Sequence, residues 1–218
     1  MIILPTSFCP SVGYFSLIAE SGDEGVCIDT GEQYRKQTLR NRALFMTAAG
    51  VTSFTIPVAK YGYPAPAVSD IRISEHGDWR HKLDHGLRSG YGTAPFWDHY
   101  EEEIRDLIFE DKVTGLIEYN RLWLDWMLKK WDLEARPVWG VAKEGRRFDL
   151  DELSAVRQKR YWQVFEGRYG FTPGLSALDL LLSEGPYAVH YLKELGTRLL
   201  SDEDDDIDED ISRDSGKE

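Results

Sequence analysis

The densest set of residues able to do chemistry lies between Glu32 and Arg42, in the run Glu-Gln-Tyr-Arg-Lys-Gln-Thr-Leu-Arg-Asn-Arg. Lys36, Arg40 and Arg42 bring cations close together, and Glu32 stands one helical turn before Lys36. A guanidinium is a planar fork of donors that fits a carboxylate or phosphate bidentately. Cations at a helix start, beside free backbone N–H groups, make a seat for an anion. In a continuous helix Lys36 and Arg40 share a face. The pattern supports an anionic small-molecule site with Lys36, Arg40, Asn41 and Arg42 as binding residues. Glu32 would orient the ligand or manage a proton. An exposed basic face balanced by Glu32 is the structural alternative.

Two further carboxylates stand among apolar neighbours. Asp70 falls in the short run Val-Ser-Asp-Ile-Arg-Ile, and Asp179 interrupts Leu-Ser-Ala-Leu-Asp-Leu-Leu-Leu. A charge buried alone is costly, so each needs an arginine or hydrogen-bond donors, whether its role is catalytic or structural. His81 and His85 are four residues apart, a spacing that places both on one helix face. Asp84, Asp98 or His99 would be the third ligand of a zinc site. The Glu of the metalloprotease helix motif is missing, however, and no metal site is expected. Glu101–Glu103 follow Pro95 near a helix start, where the helix dipole favours acids. Cys9 and Cys27 form no CxxC and read as buried thiols, with a Cys9 nucleophile as the alternative. The aromatic residues are mainly core material, and Tyr34, Trp79 and Tyr91 are placed as the apolar wall of a site. The nucleotide and hydrolase fingerprints GxGxxG, GxxxxGK[ST] and GxSxG are absent.

These residues need a scaffold, and the hydrophobic pattern predicts one. Met1–Leu4 and Val26–Asp29 read as short strands, separated by a helix over Tyr14–Glu20. An amphipathic helix is expected over Tyr34–Ala49, with Leu39, Leu44, Phe45 and Met46 on its apolar face and Gly50 as its C-cap. Thr52–Val58 and Val68–Ile73 alternate and read as strands. Trp79–Ser89, Pro95–Glu110 and Thr114–Leu133 are helical, the third with a stripe of Leu116, Tyr119, Trp123, Met127 and Leu128. Pro137–Val141 is a late strand and Lys143–Asp151 a loop. Two more helices fall near Ser176–Ser183 and Tyr187–Leu200. Interleaved strands and helices point to α/β, with α+β as the alternative: a small mixed or parallel sheet near the N-terminus, then a helical middle and C-terminal section.

The chain has 218 residues and a formal net charge of −12. That size suits one domain, expected over residues 1–200. Residues 201–218 hold ten of the acids against two bases and little to bury, so a disordered acidic tail is expected there. The tail would be solubilising or would dock a basic partner. The remaining body is only mildly acidic, which argues against nucleic-acid binding. No run approaches a membrane span, and the N-terminus lacks the marks of a secretory signal, so a soluble cytoplasmic protein is expected.

Several segments together resemble the WbqC-like protein family. They are Pro10 through Gly13-Tyr14-Phe15, then Glu32-x-Tyr34-x-Lys36-Gln37-x-x-Arg40-Asn41-Arg42, Ile56-Pro57-Val58, Asp70-Ile71 and Trp79. Tyr91-x-x-Ala94-Pro95-Phe96, Tyr100, Asn120 and the long block Gln163–Pro186 follow. The resemblance runs over about residues 8–195 and rests on order and spacing. Cys9 stands where the family usually has an aromatic, and Leu83 where it tends to carry a His. The resemblance implies a setting in surface-polysaccharide biosynthesis, with acyl or aminoacyl transfer onto an anionic or sugar-linked small molecule. It leaves the cofactor open. The alternative is a non-enzymatic binding or scaffold protein with a docking tail.

Overall fold

The computed structural model describes residues 1–201; the expected acidic tail lies outside the described residues, apart from Ser201. Among them is a parallel sheet of β1 (Ile2–Pro5), β2 (Val26–Asp29), β5 (Val138–Gly140) and β6 (Arg146–Arg147), in the order β5-β2-β1-β6. β1 pairs Ile2 with Val26 and Pro5 with Asp29 on one side, and Ile2 with Arg146 on the other. β2 pairs Cys27 with Val138. Parallel strands are covered on both faces, so they read as continuous apolar runs. β1 and β2 fit this, with every residue buried. The fold is mixed α/β, as the interleaved pattern predicted.

Helix α1 (Val12–Glu20) connects β1 to β2, and α8 (Val189–Ser201) lies along it. Gly196 sets that approach: a Cβ there would stand 2.2 Å from the Ser16 carbonyl oxygen. At the other end of α1, a Cβ on Gly13 would meet the Leu153 carbonyl at 2.4 Å, which seats α5 (Leu150–Ala155) against the helix start. Between β2 and β5 the chain forms an antiparallel hairpin, β3 (Arg42–Thr47) and β4 (Gly50–Thr55), then α2 (Trp79–Tyr91), α3 (Trp97–Ile108) and α4 (Leu116–Lys130). The expected α4 stripe of Leu116, Tyr119, Trp123, Met127 and Leu128 is buried throughout. The short α6 (Glu166–Tyr169) and α7 (Ala177–Glu184) precede α8.

Three local expectations are corrected. The helix expected over Tyr34–Ala49 is a loop followed by β3, and Gly50 opens β4 instead of capping a helix. Ala43 and Phe45 are buried on one face, but Leu44 and the equally buried Met46 on the other are apolar too, which hides the two-residue period. Cross-strand pairing thus overrides the helix preference of Arg, Ala, Leu and Met. Val68–Ile73 is not a strand; Val68–Asp70 forms a 3₁₀ turn, with single bridges from Val58 to Ile73 and Arg72 to Gly115. The stretch Lys143–Asp151 is not simply loop. It contains β6 and the start of α5, whose N-cap Asp149 accepts the Asp151 N–H at 2.8 Å.

Candidate functional site

In chain order the four parallel strands follow 3-2-1-4. The chain therefore builds on one side of β1 and then crosses to the other. In open α/β sheets the crevice at the carboxyl ends of the strands flanking such a reversal is the preferred ligand site. A hollow of about 300 Å³ lies there, against Pro5 and Phe148. One wall follows β2 and carries Asp29, Glu32, Arg35 and Arg40. The other follows β6 and carries Arg147, Asp149 and Glu152.

Asp29 ends β2, and its side chain is buried. Its Oδ2 accepts from Arg147 Nη1 at 2.7 Å, and its Oδ1 from the N–H groups of Gly31 at 3.0 Å and Ala142 at 3.3 Å. Burial works to raise this carboxyl, but the Arg147 hydrogen bond and the two N–H donors outweigh it. Asp29 is held below its ordinary value, ionised across the neutral range. Arg147 also donates to the Ala142 carbonyl at 3.1 Å, yet half of its side chain faces solvent.

Arg40 is only 3% exposed. Its Nε donates to Glu32 Oε1 at 2.9 Å, its Nη2 to Glu32 Oε2, and its Nη1 to Thr38 Oγ1 at 3.3 Å. This is a bidentate fork closed on the protein's own acid. The loop bearing it is pinned from α4: Asn120 Nδ2 donates to the Arg40 carbonyl at 2.8 Å and to Thr6 Oγ1 at 3.0 Å. Asn41 Nδ2 donates to the Ile56 carbonyl at 2.8 Å, tying the loop to the end of the hairpin. From α1, Tyr14 donates to the Pro5 carbonyl at 2.9 Å and anchors the floor.

Of the ten residues singled out by sequence, Glu32 and Arg40 line this hollow. Lys36 is exposed, with its ammonium 4.9 Å from the Tyr61 ring. Without the expected helix it shares no helical face with Arg40. Tyr34 is buried edge-on against Tyr61, and burial, then Tyr61, push its phenol up to about 12. Arg42 opens β3, paired with Thr55. Asp70 is exposed on its turn. Trp79 is buried beneath the Arg80 guanidinium, 4.3 Å from its ring, and borders a separate apolar hollow with Phe8, Phe54 and Leu83.

Tyr91 and Asp179 belong to a buried cluster. Tyr91 OH accepts the Met46 N–H at 3.0 Å. Asp179 Oδ2 accepts from Tyr161 OH at 2.7 Å and Gln163 Nε2 at 3.0 Å. Burial pushes the Asp179 carboxyl up to about 6, against the opposing pull of hydrogen bonds from Tyr161, Gln163 and Tyr91. The Cys9 thiol is buried and raised well above its ordinary value, which leaves it a poor nucleophile at neutral pH. Among the described residues no group of three His, Cys, Asp or Glu side chains is placed to hold a metal ion. None of their helices is long and apolar enough to cross a membrane.

Sequence reasoning missed Asp29, Arg35, Arg147, Asp149 and Glu152. The signal for Asp29 was its place at the end of an apolar strand in an α/β pattern. For the second wall it was Asp149-Leu-Asp-Glu152, the N-cap and N3 spacing of a capping box.

The strand order defines an open parallel α/β sheet with a crevice where the order reverses. The chain belongs to the WbqC-like protein family, whose model matches residues 6–145. It is 25% identical over 225 residues to "Uncharacterized protein Rv1507c" of Mycobacterium tuberculosis (strain ATCC 25618 / H37Rv). That alignment covers 88% of this chain and 96% of the relative. No solved structure matches the chain.

Proposed function

We propose that the protein binds an anionic or sugar-linked small molecule in the hollow at the carboxyl edge of the parallel sheet. In this reading it is a cytoplasmic transferase that moves an acyl or aminoacyl group, in the polysaccharide-biosynthesis setting that the family resemblance implies. The observation that carries the binding step is one hollow at the strand reversal, lined by arginines that differ in how far they are engaged. Arg40 is committed to Glu32. Arg147 holds Asp29 but keeps half of its side chain in solvent. Arg35 is exposed at the hollow. The anion therefore falls to Arg35 and Arg147, and Arg40 holds Glu32 in place beside them. Glu32 and Asp29 would act on the bound molecule through Arg40 and Arg147, which they hold.

Thermal-shift and calorimetric titrations with nucleotide sugars, acyl-CoAs and amino acids test the reading. Arg35→Glu is expected to abolish the ligand response without lowering the melting temperature of the free protein. An unchanged response in that variant refutes this placement of the anion. The closure of Arg40 on Glu32 favours a second reading, a non-enzymatic binding or scaffold protein. Deletion of residues 202–218 separates the two: a transferase keeps turnover, and a tail-docked adaptor loses its partner in a pull-down.

A further inference from the structure

We propose that the molecule held in this hollow is a zwitterion, carrying an ammonium as well as its anionic group; the inference rests on the binding reading above. The charges around the hollow sort into one closed pair, one pair half open to solvent, and a remainder. Arg40 with Glu32, and Arg147 with Asp29, neutralise each other. Arg35 remains on the wall that follows β2. Asp149 and Glu152 remain on the wall that follows β6. Asp149 uses Oδ1 to cap α5, and its Oδ2 takes no hydrogen bond among the described residues. Glu152 forms no hydrogen bond or ion pair there, nor does the Arg35 guanidinium.

An anion alone would answer Arg35 while facing two uncompensated carboxylates across a small hollow. Like charges so placed repel it. A molecule with an ammonium beside its anion answers both walls at once: the anion meets Arg35 and the exposed part of Arg147, and the ammonium meets Asp149 and Glu152. At about 300 Å³ the hollow is at the small end of ligand sites, which suits a compact head group. An α-amino acid has this chemistry, as does an amino-sugar phosphate.

The test is calorimetric titration of the full chain with two matched series. One is L-alanine, lactate and ethylamine. The other is glucosamine 6-phosphate, glucose 6-phosphate and N-acetylglucosamine 6-phosphate. The expected result is that one zwitterion binds about tenfold or more tighter than its partners lacking the ammonium, as charge-assisted contacts of this kind provide. The series in which this occurs identifies the source of the head group. The double variant Asp149→Asn with Glu152→Gln preserves the capping geometry, so its melting temperature should hold. It is expected to erase the preference for the zwitterion while leaving weaker binding of the anion. If the anion-only members bind as tightly as the zwitterions, or the double variant keeps the preference, the zwitterion inference is overturned and the anion site stands. If no member of either series binds, the binding reading beneath it falls as well.

Discussion

Asp179 gives the sharpest prediction, because its environment fixes both a sign and a size. The carboxyl is fully buried and receives only neutral donors, Tyr161 and Gln163 on Oδ2. Folding raises it from 3.8 to about 6, chiefly through burial. A carboxyl raised on folding favours the protonated native state. Its contribution is fully present below about pH 4, declines as the pH rises through about 6, and is flat above that. That rise on folding corresponds to about 3 kcal/mol. The measurement is urea unfolding of the wild type and Asp179→Asn from pH 4 to pH 8. Other carboxylates with the opposite shift, such as Glu103 beside Lys130, occur in both proteins and cancel in the difference. The wild type should lose about 2.5 kcal/mol relative to the variant between the ends of that range, since pH 4 already lies just above the unfolded value. Tyr161→Phe removes a hydrogen bond that favours the ionised form, so it should move the window to higher pH. A difference that stays flat with pH, or a wild type that gains on the variant as pH rises, would refute the reasoning.

Other outcomes follow from the same contacts. Arg40→Lys loses the bidentate fork and leaves Glu32 poorly paired, and it should cost about 2–4 kcal/mol in urea unfolding. Arg147→Ala strips Asp29 of its charged partner. A depressed carboxyl stabilises the fold above its unfolded value, so the deficit should be largest at neutral pH and close as pH falls below about 4. Gly196→Ala places a methyl against the Ser16 carbonyl and should cost about 1–3 kcal/mol by forcing α8 from α1, read as a drop in melting temperature.

The helices were legible where an apolar stripe repeats at helical spacing, as on α4 with Tyr119, Trp123 and Met127. The strands were legible where a short apolar run stands alone, as in Ile2–Pro5 and Val26–Asp29. The hairpin strand β3 was not. Its residues are good helix formers, and Leu44 and Met46 supply no polar alternation, so only pairing with β4 decides its form. The site shows the same division. Glu32 and Arg40 stood out by density of charge, and the structure brings them to one hollow. Which acid closes which arginine depends on loop geometry that local spacing does not contain. Arg147, Asp149 and Glu152 lie in a charged stretch around Gly145 that resembles loop. Their relation to Asp29 exists only through the sheet, because β6 joins β1 from more than a hundred residues away.

That distance has a consequence for synthesis. The strand pairing that sets the far wall opposite the near one cannot form until the polypeptide has passed Arg147, long after Asp29 has left the ribosome. Until then β1 has one neighbour, and Asp29 has no guanidinium to meet. A nascent chain arrested within α4 would possess the cationic loop and its asparagine anchors but only one wall of the hollow. The hollow is therefore completed in a single late step, when the returning segment closes the largest loop in the sheet.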